Sequence, residues 1–284
     1  MTRTMETQTL SRTTSVDGTT IGYWSSGRGR RPLLLIHGGM GDHTRWDLLR
    51  PYLEPHVTVH AMDRRGRGAS GDAAEYALER EYEDVAAVID AIAADAGTTV
   101  DVYCSSYGGL CAFGAAALTA NIGRLALYEA WPLPDPAVLA PPPGFLDRVG
   151  ALLASGDREG VIVAAYHELL GLPEEQVDDL RRQPSWPARI AAAHTVAREV
   201  RTFQETVFDA DRASRITVPT LLMIGAETPD IIGVKAVREA LPDARIAVIE
   251  GQEHIADLLA PHMVADVLLP FLQNRYSGGR PQPR

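Results

Sequence analysis

The chain has 284 residues, enough for one large domain with a substantial core or two modest ones. Hydrophobic residues make up 45% and charged residues 23%, the balance of a globular protein rather than a disordered or fibrous one. Its 27 Lys and Arg against 37 Asp and Glu leave a formal charge of -10, a field that repels nucleic acid and anionic membrane surfaces; two cysteines exclude a disulfide scaffold and a multi-cysteine metal site.

Short apolar runs bounded by turn residues alternate with longer helical patterns, the form of an α/β protein with a mostly parallel central sheet flanked by helices. Thr7–Thr14 and Thr20–Trp24, separated by Asp17-Gly18, read as a hairpin. Pro32–Ile36 is continuously apolar, as a strand covered on both faces must be, and Val57–Met62, Val100–Cys104, Arg124–Tyr128, Thr220–Ile224 and Arg245–Ile249 follow as further strands. Helices are expected over Thr44–Tyr52, Glu79–Ala96, Tyr107–Ala120, Ile232–Leu241 and Met263–Asn274.

Residues 132–215 break this alternation with a proline-rich opening and then helical pieces at Leu146–Leu153, Arg158–Leu170, Glu174–Arg182 and Trp186–Asp209. They read as a helical cap inserted into a core made of 1–131 and 216–275, with 276–284 a disordered tail. Open α/β sheets bind ligands at the carboxyl ends of their strands, so the insertion is expected to cover a site. Met1 to Ser15 lack the apolar centre of a signal peptide and no apolar run reaches the roughly 18 residues of a membrane span, so a cytoplasmic address is expected.

The strongest chemical signal is Asp101-Val-Tyr-Cys-Ser-Ser-Tyr-Gly-Gly-Leu110, a strand running into a helix rich in small residues. A nucleophile elbow needs that setting, because its turn is so sharp that the residues two before and two after the nucleophile must be small. Around Ser106 these are Cys104 and Gly108; around Ser105 they are Tyr103 and Tyr107, far too large. Ser106 is therefore the candidate, against the alternative of a serine that merely caps a helix. A second string, His37-Gly38-Gly39-Met40, follows a buried strand, where glycines let backbone N–H groups turn toward developing negative charge. The N–H groups of Gly39 and Tyr107 are the expected oxyanion pair, and His37 is expected to be structural. Gly66-x-Gly68-x-x-Gly71 matches a dinucleotide fingerprint in form only, since no apolar crossover helix follows directly.

Together, His37-Gly38-Gly39, Asp63-x-x-Gly66-x-Gly68-x-Ser70 and Cys104-x-Ser106-x-Gly108-Gly109 resemble the α/β-hydrolase superfamily over about Thr20 to Gln273. The resemblance implies the α/β-hydrolase fold and a base late in the chain. Of eight histidines, His254 alone lies in a loop directly after the last strand, while His262 falls in the final helix and His167 and His194 lie in the insertion, with packing roles expected. Family members commonly carry an aspartate where this chain has Thr228, in Gly225-Ala-Glu-Thr228. The acid must then come from elsewhere. Glu129, at the end of the strand before the insertion, is preferred because a glutamate there would be costly to bury without a partner; Asp230 and Glu227 are the alternatives. Elbow and acid placement are similar to zearalenone-type lactonases, which implies a serine hydrolase without cofactor or metal.

The expected reaction is acyl transfer from a medium-sized hydrophobic ester or lactone to water, with Ser106, His254 and Glu129 as the triad. Gly38, Met40, Trp131 and Trp186 are candidate substrate contacts, the tryptophans being equally well explained as packing. Alternatives with the same residues are a carbon–carbon bond hydrolase, a thioesterase, or a non-hydrolytic receptor or cyclase. A second copy of the chain is the one macromolecular partner kept open.

Overall fold

A computed structural model describes residues 7–228 and 233–274. Eight strands form one sheet: β1 (Thr9–Thr14), β2 (Thr20–Ser26), β3 (Pro32–Ile36), β4 (Thr58–Met62), β5 (Val100–Ser105), β6 (Ile122–Tyr128), β7 (Thr220–Gly225) and β8 (Ala244–Ile249). Their order is β1-β2-β4-β3-β5-β6-β7-β8, antiparallel at the β1–β2 hairpin and at β2–β4 and parallel from there on. Because β3 through β8 run the same way, the segments after β3, β5, β6, β7 and β8 all emerge at one edge.

The central strands are apolar on both faces because helices cover both. The helices are α1 (Arg50–Leu53), α2 (Leu78–Ala96), α3 (Tyr107–Ala115), α4 (Phe145–Ala154), α5 (Arg158–Leu170), α6 (Glu174–Arg181), α7 (Trp186–Ala191), α8 (Val196–Glu205), α9 (Ala210–Ala213), α10 (Val234–Ala240), α11 (Ala256–Leu259) and α12 (Pro261–Leu272). One core packs α2, α3 and α10 against Ile36, Val102, Leu127 and Leu222; the other packs α1 and α12 against Leu35, Tyr103, Ala126 and Leu221. Helices α4 to α8 share a third cluster around Phe145, Val161, Tyr166 and Trp186, which meets the rest through Met40, Ile255 and Leu258. Between β6 and β7 the described residues contain no strand.

Two expected helices are broken. Thr44–Tyr52 divides into a 3-10 turn at His43–Trp46 and α1, because Pro51 has no N–H with which to continue a helical ladder. Trp186–Asp209 divides into α7, a 3-10 turn at Ala193–Thr195 and α8, which ends at Glu205. There the Thr195 hydroxyl donates to the Ala192 carbonyl (2.7 Å) and Arg158 donates to the Ile190 and Ala191 carbonyls, so side chains occupy acceptors that a continuous helix would use. The tail and Asp230 lie outside the described residues, as does the first residue of the helix expected over Ile232–Leu241. No described helix is long and apolar enough to cross a membrane.

The glycines of the fingerprint-like loop serve packing. A Cβ on Gly68 would lie 2.3 Å from the Asp63 carboxylate, which accepts from Trp24 Nε1, His43 N and Ala69 N and so ties the loop to β2 and to the turn after β3. Gly109 is tighter still, since a Cβ there would lie 1.8 Å from the Ala130 carbonyl oxygen. Relief requires α3 to move off the sheet. Gly109→Ala should therefore cost about 3 kcal/mol and lower the thermal midpoint by roughly 5–10 °C in a circular-dichroism melt. An unchanged midpoint would mean that α3 is not held this close.

Candidate active site

Strand β5 ends at Ser105 and α3 begins at Tyr107, leaving Ser106 alone to make the turn. Its backbone is at φ 52° and ψ −131°, a conformation that costs a non-glycine residue on the order of 1–3 kcal/mol. The Ser106 N–H donates to the Tyr128 carbonyl (3.1 Å) and the Gly109 N–H donates to the Ser106 carbonyl (2.9 Å), so β6 and α3 both hold the turn. Ser105 is fully buried, with a hydroxyl that finds no partner among the described residues, whereas Ser106 lines a cavity.

His254 follows β8 and reaches back to Ser106, its Nε2 standing 2.9 Å from Ser106 Oγ. Its Nδ1 lies 2.8 Å from Glu129 Oε2. A carboxylate only accepts, so Nδ1 carries the proton and Nε2 is free to accept from the serine hydroxyl. The Tyr128 hydroxyl donates to the Glu253 carbonyl and so anchors the loop that carries His254.

Glu129 lies directly after β6 at φ 45°. Its other oxygen, Oε1, accepts from the Gly225 N–H (2.8 Å) and the Thr228 hydroxyl (2.5 Å). Burial by itself would raise this carboxyl; the bonds from His254, Thr228 and Gly225 outweigh it and hold the group below its ordinary value. Thr228 thus stands where the family resemblance leads one to expect an aspartate, and it supplies a donor to the glutamate of the neighbouring strand. Glu227 lines the cavity, and its backbone N–H donates to the Gln252 carbonyl (3.1 Å).

The Gly38–Gly39 turn faces Ser106 closely: a Cβ on Gly38 would lie 2.8 Å from Ser106 Cβ. The Gly38 carbonyl accepts from His37 Nδ1 (2.8 Å) and Arg64 Nη1 (3.0 Å). In a trans peptide the N–H of Gly39 points opposite to that carbonyl, so two donors fix its direction. His37 is fully buried and accepts the Arg64 N–H at Nε2 (3.2 Å). Burial, with Arg64 and Arg67 nearby, pushes its imidazole well below the usual histidine range, so it stays neutral and structural. The N–H of Tyr107 opens α3.

Arg64 was not singled out by sequence. Its guanidinium is fully buried, donates to Glu81 (2.7 and 2.6 Å) and Glu199 (2.5 Å), and lies 4.6 Å from the centre of the Tyr107 ring. Arg67 also donates to Glu199 (2.5 Å) and to the Thr195 hydroxyl (2.8 Å). This network fixes α8 to the core.

The cavity measures about 490 Å³. Gly38, Gly39, Met40, Ser106, Tyr107, Glu129, Trp131 and His254 line it, with an otherwise largely apolar wall that includes Leu133, Leu139, Tyr166, Leu170 and Phe203. Trp186 is not part of that wall. It stacks on Tyr166 (6.2 Å between ring centres) and donates Nε1 to Glu159 (3.1 Å), so its expected role as a substrate contact is corrected to packing within the helical segment. His167 and His194 make local bonds to Leu172, Glu174, Arg158 and Ala191.

A model of the alpha/beta hydrolase family matches residues 33–267. The chain is 35% identical to an alpha/beta hydrolase from Sphaerobacter thermophilus, covering 92% of this chain and 100% of that one with a TM-score of 0.77. It is 25% identical to a hydrolase from Pseudomonas aeruginosa (93% and 98% covered, TM-score 0.70). A relative named for carbamate hydrolysis, RutD of Azorhizobium caulinodans, is 26% identical over 84% of this chain and 90% of its own length.

The lowered carboxyl of Glu129 has a pH signature. Its contribution to stability is fully present above the ordinary carboxyl value of 4.5 and is lost as pH falls through the lower folded-state value. In urea unfolding, the stability gap between the wild type and Glu129→Gln should be widest near neutral pH and should shrink below about pH 4.5. A gap that is constant across that range would contradict the assignment.

Proposed function

The chain belongs to the alpha/beta hydrolase family, and on that footing we propose that it is a cofactor-independent serine hydrolase that cleaves a carboxylic ester or lactone of a medium-sized hydrophobic substrate. The observation that carries this reading is the unbroken hydrogen-bonded chain Glu129–His254–Ser106, which ends in a hydroxyl at the floor of a largely apolar cavity.

In the proposed mechanism Ser106 Oγ attacks the carbonyl carbon and its proton passes to His254 Nε2. Glu129 keeps the other proton on Nδ1 and stabilises the imidazolium. The carbonyl electron pair becomes an oxyanion, received by the N–H groups of Gly39 and Tyr107. A donor of this kind is worth about 2.7–4 kcal/mol. Collapse of the intermediate breaks the ester C–O bond, and His254 protonates the leaving alcohol. Water then gives its proton to His254 and attacks the acyl-enzyme, which releases the acid and restores Ser106. A lactone would release one ring-opened product. The name of the RutD relative points to a carbamate as a further acyl carbon open to the same steps.

Residues 132–215 act in this reading as the cap: Trp131 precedes it and Leu133 lies at its start, while Tyr166, Leu170 and Phe203 roof the cavity. Met40, at φ 54° beside the two glycines, is the apolar contact nearest the proposed oxyanion donors in sequence.

A fluorophosphonate probe should label Ser106 in the intact protein, as read by mass spectrometry of the digest. Ser106→Ala should abolish p-nitrophenyl ester turnover with an unchanged circular-dichroism spectrum, and Glu129→Gln should lower kcat by about 10⁴-fold. Absence of labelling, or activity retained by Ser106→Ala, would reject the reading.

A further inference from the structure

Across the Gly38–Gly39 turn from Ser106 stands a second carboxyl group, Glu199 of α8. Only 5% of the residue is exposed. Its Oε1 accepts from both Arg64 and Arg67, each at 2.5 Å, whereas Oε2 takes no hydrogen bond from any described residue. The free oxygen faces the turn: a Cβ built on Gly39 would lie 3.1 Å from it, as a Cβ on Gly38 would lie 2.8 Å from Ser106 Cβ. The two glycines are thus bracketed by the hydroxyl and by an acceptor that faces the same cavity.

Bracing the two arginines requires only Oε1. Oε2 keeps accessible surface on the cavity, where it can take a donor from a bound molecule. We propose that Glu199 Oε2 determines substrate specificity by accepting a hydrogen bond from a hydroxyl or N–H donor that the substrate carries close to its scissile carbonyl. This rests on the hydrolase reading above and narrows its substrate class.

The charge of the wall agrees. Glu227 and Glu253 also line the cavity, and Arg45, the only arginine or lysine among its described lining residues, is held by both oxygens of Asp257 at 2.8 Å. An anionic substrate would meet carboxylates with no uncommitted cation to receive it. The favoured substrate is neutral or cationic.

The test is a matched series of p-nitrophenyl esters: butyrate, its β-hydroxy, β-amino and β-methoxy derivatives, and the monosuccinate. The wild type should favour the hydroxy or amino ester over plain butyrate by roughly tenfold or more in kcat/KM and should discriminate against the succinate. A hydroxy preference identifies a neutral donor, and a further gain with the amino ester identifies an ammonium group. In Glu199→Gln the amide oxygen replaces Oε1 before the arginines, and the NH₂ group then replaces Oε2. That variant should invert the order, so that the methoxy ester, which can only accept, overtakes the hydroxy ester. Equal kcat/KM for plain and hydroxy esters in the wild type would overturn the inference, as would a wild-type order kept by the variant. Either result, with Ser106 still labelled by fluorophosphonate, leaves the hydrolase reading intact; absence of labelling removes both.

Discussion

Ser106 sits in a backbone conformation that a serine adopts only when its surroundings force it there. The forcing comes from how closely α3 lies against the sheet. A Cβ on Gly108 would lie 2.5 Å from the carbonyls of Ile36 and His37, and one on Gly109 would strike Ala130. Only glycines allow both contacts, and those contacts draw the ends of β3, β5 and β6 together at one edge. The strain at one residue is thus offset by packing spread over three strands and a helix, and its result is a hydroxyl presented to the cavity rather than buried like that of Ser105.

The same edge explains how a carboxylate can start from either of two strands and still meet the same histidine. Adjacent parallel strands run about 4.8 Å apart, so a carboxylate from β6 or from β7 has a comparable distance to cover to a histidine arriving from β8. Here it starts from β6, and the positive φ at Glu129 turns the chain so that its side chain meets His254. The end of β7 then contributes donors in place of a charge: the Gly225 N–H and the Thr228 hydroxyl converge on Glu129 Oε1. An aspartate at 228 would set two carboxylates against each other. Threonine at that position and glutamate at 129 are one arrangement.

These placements divide by what a sequence can carry. Strands buried on both faces are uninterrupted apolar runs, so Pro32–Ile36 was legible to the residue, and the steric demand of the elbow separates Ser106 from Ser105 without coordinates. Glu129 was legible because an expected aspartate was absent and a strand-end glutamate needs a partner. Thr228 carried a weaker signal, being read as a missing acid and not as a donor. Glu199 and Arg64 left no local trace, since they are 135 residues apart and each looks like an ordinary surface charge in its own segment. Trp186 shows the converse, an aromatic in the helical segment between β6 and β7 whose periodicity does not say whether it faces the cavity or the helices behind it. The break at Pro51 follows from proline itself, whereas the one near Thr195 also depends on Arg158 reaching the Ile190 and Ala191 carbonyls, which only tertiary contacts fix.

The buried ion network joins the two halves of the site. Arg64 touches both sources of the proposed oxyanion donors, through its bond to the Gly38 carbonyl and its position over the Tyr107 ring, and the same guanidinium holds Glu81 and Glu199. A fully buried cation is tolerated only when paired and hydrogen-bonded, and removing one partner of such a pair costs about 3–5 kcal/mol. Two arginines set against two glutamates meet that condition, with Tyr76 donating to Glu81 and Thr195 accepting from Arg67. Displacing α8 would leave Arg64 and Arg67 short of charge beside the Gly38–Gly39 turn. The helical wall and the backbone donors are therefore one electrostatic unit, and the shape of the cavity above Ser106 is set by the same charges that orient the groups beneath it.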